Sequence, residues 1–145
     1  MYEPVDLEDM AAHQALDAVA ADLREHHVRC DRHGLFTASR HIDLLCSLAT
    51  RMTADAEYQL SPDRPHNDGH PGAKALSQAA GHIGRAIAHY TQALTPLITL
   101  TQQQPHPTLQ HQLDAIGLTS TLHTHLAHAR QALAAAHTSL QPPHR

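Results

Sequence analysis

Apolar residues in this chain recur three and four positions apart over four long stretches, and most of them are alanine or leucine. That spacing places them on one face of an α-helix. The alternation that a half-buried strand needs is absent. Tyr2, Phe36, Tyr58 and Tyr90 are the only aromatic residues, and there is no tryptophan. Sheets draw on β-branched and aromatic side chains, so this inventory favours helix packed on helix. A chain of 145 residues is long enough to bury one such core.

The pattern predicts four helices. The first covers 6–33, with Ala12, Leu16, Val19, Leu23, His26 and Cys30 as its stripe. Asp6, Glu8 and Asp9 crowd its start, where the helix dipole favours negative charge. Gly34 is expected to end it in a left-handed conformation. The second covers 37–60, capped by Thr37, with Ile42, Cys46, Ala49, Met52, Ala56 and Leu60 on the core side. Leu44 and Leu48 then fall on the opposite face, so this helix is either central in its bundle or used for association.

Residues 61–72, SPDRPHNDGHPG, read as a loop between two helical hairpins, 6–60 and 73–140, of a single domain. The third helix covers 73–103. Its stripe from Leu76 to Ile98 stays in phase across Pro96, which predicts a kink and not a break. Ser77, Gly81, Gly84 and Ala88 form a row of small residues expected to let another helix come close. The fourth helix covers 107–140 and changes phase at Gly117. Leu109, Leu113 and Ile116 point one way, and Leu118, Leu122, Leu126, Ala129, Leu133 and Leu140 another, so either the helix bends at Gly117 or both faces are buried, one of them by a second copy. Residues 141–145 are expected to be disordered. Short turns within each hairpin make neighbours antiparallel, so the expected fold is an all-α, up-down-up-down antiparallel four-helix bundle.

Charge is divided unevenly. Residues 1–72 hold thirteen acids and six bases, whereas 73–145 hold one acid, Asp114, and four bases. Basic residues are too scattered for a nucleic-acid footprint. The most apolar stretch, 83–100, carries Arg85, His89 and several threonines, which suits a core helix better than a membrane span. No basic start followed by an apolar run marks a secretory signal. Cys30 and Cys46 are expected to be free, apolar thiols in a reducing cytoplasm. Across a hairpin turned at 34–36 they lie about 9 Å apart along the axis.

The polar surface of the second half has to be made from histidine, threonine and glutamine, and the chain carries sixteen histidines. Imidazole changes charge near neutral pH and ligates transition metals. On an unbroken first helix, His26, Cys30 and His33 share a face and form a candidate zinc or other transition-metal set, with Asp22 one turn back. No Glu-x-x-His occurs, which argues against a ferritin-like carboxylate site. Among His123, His125 and His128, only the last two can face one way. His82, His89 and Tyr90 are candidates for lining a ligand groove.

No nucleophile, base and orienting group assemble from the sequence, and no cofactor motif is present. The leading expectation is a non-catalytic bundle that associates with itself as a homodimer or with a protein partner. Leu44, Leu48, Leu109, Leu113 and Ile116 supply the contact. A metal- or small-ligand-binding bundle is the alternative. An enzyme using His89 as general base is a third reading.

Overall fold

The computed structural model describes residues 10–62, 71–102 and 105–141. It contains four helices, α1 (Ala12–Glu25), α2 (Arg32–Gln59), α3 (Ala73–Thr101) and α4 (Leu109–Leu140). Each packs against the next, and α1 closes the ring against α4. Among the described residues the diagonal pairs do not approach closely. The result is an all-α four-helix bundle. Leu16 and Val19 from α1, Leu45, Leu48 and Met52 from α2, Leu76, Ile83 and Leu97 from α3, and Leu122 from α4 meet in one fully buried core. Burying each large apolar side chain contributes about 1.5–3 kcal/mol, which offsets the ordering of the chain.

The first connection departs from the sequence expectation. α1 ends at Glu25, not His33, and α2 begins at Arg32, not Thr37. Asp31 is the reason. Its side chain accepts a hydrogen bond from the Gly34 amide at 3.0 Å and so caps α2. Thr37 lies inside α2, and its hydroxyl donates back to the His33 carbonyl. Gly34 is buried in the first turn of α2 and does not adopt a left-handed conformation. Its lack of a side chain serves a close approach instead. A Cβ at this position would overlap the Arg29 carbonyl oxygen.

At the other end of α1, Met10 and Ala11 are already non-helical. The expected start at 6–9 lies outside the described residues, as do 63–70 of the loop, 103–104 and most of the expected tail.

α1 is therefore short. Its 14 residues span about 21 Å, against about 48 Å for the 32 residues of α4. It pairs with the second half of α4, where His137 Nδ1 lies 3.1 Å from Asp17 Oδ1. Every buried residue of α4 falls at or beyond Leu122. The first half of α4 lies on α3 with no α1 beside it.

α3 runs through Pro96, which is itself buried. Gln92, whose carbonyl loses its helical partner to the proline ring, is exposed. The row of small residues on α3 is exposed as well. A Cβ on Gly81 or Gly84 would meet nothing within 4 Å, so among the described residues no helix packs there.

α2 also presents a different core face. Gly34, Ala38, His41, Leu44, Leu45, Leu48 and Met52 are buried, whereas Cys46 and Leu60 are exposed. Ile42, Ala49 and Ala56 pack only at the core margin. The expected stripe left out His41, and the true core face is turned from it by about 75° around the helix axis.

Gly34→Ala should lower stability by about 1–3 kcal/mol, because a backbone carbonyl cannot rotate away from the new methyl. Gly117→Ala, in open space within α4, should raise it by about 0.5–1 kcal/mol. Urea melts of the two variants beside the parent chain measure both, and the opposite signs separate a packing requirement from simple helix propensity.

Candidate functional site

The early end of α1 disperses the expected metal set. His26 is the residue that follows α1, Cys30 is an exposed free thiol in the connection, and His33 is an exposed residue in the first turn of α2. They share no helical face. Among the described residues, no three His, Cys, Asp or Glu side chains are placed to hold a metal ion.

Two of the five expected interface residues also move. Leu44 and Leu48 are core residues, because the α2 stripe turns them inward. Leu109, Leu113 and Ile116 remain outside, 72%, 54% and 67% exposed.

His82, His89 and Tyr90 do not line one groove. His82 sits against Arg85 one turn along α3. His89 turns to α4, with its ring centroid 5.1 Å from that of His128 and 6.0 Å from that of His125. The Nδ1 atoms of His89 and His125 are buried without a hydrogen-bond partner. Burial first, then the neighbouring His128 and His125, hold the His89 pKa below its ordinary value.

Tyr90 turns the other way, into the core, and meets a residue that sequence reasoning missed. His41 on α2 is fully buried, and its Nδ1 lies 2.8 Å from the Tyr90 hydroxyl. The two rings meet edge to face, 5.6 Å apart at 88°. Asp22 on α1 is also buried, with His26 Nε2 3.4 Å from its Oδ1. Three helices thus carry polar groups into an alanine–leucine core. Burial pushes the His41 pKa from 6.5 down to about 4; the Asp22 charge opposes that shift, and His26 adds to it. The imidazole is neutral at physiological pH and holds the phenol in a single orientation. The available signal was the spacing of Gly34, Ala38, His41, Leu45, Leu48 and Met52, in which His41 fills the one position needed to keep the stripe continuous.

Besides smaller recesses along α1, the described residues form two larger open recesses with largely apolar lining. One runs between the end of α3 and the start of α4, beside the exposed ridge. The other lies where α1 stops. Comparison of the chain with family models, curated proteins and solved structures returned no match.

The buried imidazole makes folding sensitive to pH. Below 6.5 the unfolded chain protonates His41, while the folded chain resists until about 4. Its stabilisation is complete above 6.5 and is lost as pH falls across that interval, amounting to about 3 kcal/mol at most. The parent chain should melt at lower temperature near about pH 5 than near about pH 7.5. His41→Leu should flatten part of that difference. An equal drop in both proteins would show that His41 titrates as an ordinary solvated residue.

Proposed function

We propose that this protein is a non-catalytic helical bundle that works by self-association, through the end of the α3/α4 hairpin that α1 does not cover. The observation that carries this reading is the ridge formed by Leu109, Leu113 and Ile116, spaced four and three apart on one face of α4 and largely exposed. A helix normally buries such a face. Here the fourth helix that would do so ends at Glu25.

A second copy is the occupant that the surface suits. Beside the ridge lies an apolar groove of about 480 Å³ bordered by Leu100, Pro107, Ala115 and Leu118. Ridge and groove side by side on one molecule are what a two-fold contact needs, since each copy offers both to the other. Formal charge is sparse here. Asp114 is the sole charged residue between 86 and 129, and Gln110 hydrogen-bonds it at 2.9 Å. Two copies can therefore meet without opposing like charges at the centre. The contact has to include ridge and groove together to approach the roughly 1,200 Å² that a stable dimer buries.

Sedimentation equilibrium tests this reading. The parent chain is expected to form a concentration-dependent dimer. Leu113→Asp, at an exposed position, is expected to be monomeric with unchanged helix content and a stability change within about 0.5 kcal/mol. A parent chain that stays monomeric at every loading, or a Leu113→Asp dimer as tight as the parent, would remove it.

A further inference from the structure

Where α1 stops, a cavity of about 580 Å³ opens between its last turn, the connection to α2, and α4. Arg24 and His27 line it from one side, and His123 and Arg130 from the other. Tyr90 of α3 forms part of its wall, and Leu23 and Leu126 supply an apolar surface. No carboxylate lines it. This occurs beside the acid-rich half of the chain, where Asp17 lies against His137 and Asp22 against His26. Among the described residues, neither Arg24 nor Arg130 has an ion-pair or hydrogen-bond partner. Two uncompensated guanidinium groups therefore flank one concave surface in a chain whose net charge is −4.

A second observation leads to the same cavity. Tyr90, one of the buried polar groups of the core, forms part of its wall, and His41 holds its hydroxyl from behind. Buried polar networks are costly and are often matched or exceeded in stability by apolar residues of similar volume. Costly, rigid placements of this kind gather at binding sites. Here the bond from His41 fixes the phenol ring that borders the cavity.

We propose that this cavity binds a small organic phosphate monoester, its dianionic head between Arg24 and Arg130 and its apolar body against Leu23 and Leu126. A planar carboxylate is satisfied by a single guanidinium fork. A tetrahedral dianion accepts hydrogen bonds from several directions, which suits two guanidinium groups on opposite walls with His27 and His123 beside them. The volume lies within the range of sites that enclose small molecules.

Calorimetric titration with phenyl phosphate, inorganic phosphate and benzyl alcohol tests the assignment on the full chain. Phenyl phosphate is expected to bind saturably, and the other two at least about tenfold more weakly, because each lacks either the body or the charge. Arg24→Gln and Arg130→Gln should each weaken phenyl phosphate binding by about tenfold. Arg85→Gln, which removes the same charge from α3 away from the cavity, should leave it unchanged. Both cavity arginines are exposed, so circular dichroism is expected to show intact folding, and the backbone amides of His27 and His123 should shift in NMR spectra on titration. Absence of saturable binding overturns the proposal. So does binding unaffected by either arginine variant, or inorganic phosphate binding as tightly as the ester. Sedimentation and titration read different surfaces, so failure of one leaves the other standing.

Discussion

The architecture depends on where the first helix stops. Asp31 offers its carboxylate to the Gly34 amide, and the Gly34 backbone lies against the Arg29 carbonyl with no room for a side chain. These two local contacts end the possibility of one long helix over 6–33 and start α2 early. A 14-residue helix then has to serve a bundle whose other members are twice as long. Among the described residues, one end of the bundle has four helices in cross-section, and the other has three. The ridge on α4 lies at the three-helix end, and the arginine-flanked cavity lies at the step between the two. Both follow from the early end of α1.

The core answers a different constraint. Alanine and leucine pack helices closely but carry little shape information, and cores built from them alone tend to be interchangeable in register. His41 and Tyr90 supply what the aliphatic residues cannot, a directional bond that joins α2 to α3 at one level. Its energetic contribution is modest, since burying an imidazole costs about as much as the bond returns. Its effect on specificity is larger, because sliding either helix by one turn would leave two buried polar groups without each other.

Much of this was legible in the residues. The helical class, the four segments and the antiparallel order follow from three- and four-residue spacing and from the turn residues between segments. The change of phase at Gly117 correctly separated Leu109, Leu113 and Ile116 from the buried Leu122, Leu126 and Leu133. The core face of α2 was misplaced, because its stripe was drawn through Ile42, Cys46 and Ala49 and passed over His41, which burial makes a neutral core residue. That stripe set Leu44 and Leu48 on the opposite face. The metal set His26, Cys30 and His33 failed for a related reason. It assumed helical geometry across a stretch where a side-chain cap competes with the backbone bonds that would continue the helix.

The sequence by itself determined that this chain forms amphipathic helices, since periodicity and propensity are properties of neighbours a few residues apart. It also determined that little charge would lie on the second half of the bundle. Tertiary structure alone decided which faces are covered, because coverage depends on the relative lengths of helices that meet far apart in the chain. It likewise brought Arg24 opposite Arg130 and His41 against Tyr90. These pairs are separated by dozens of residues, and no local spacing encodes the distance at which packed helices set their side chains.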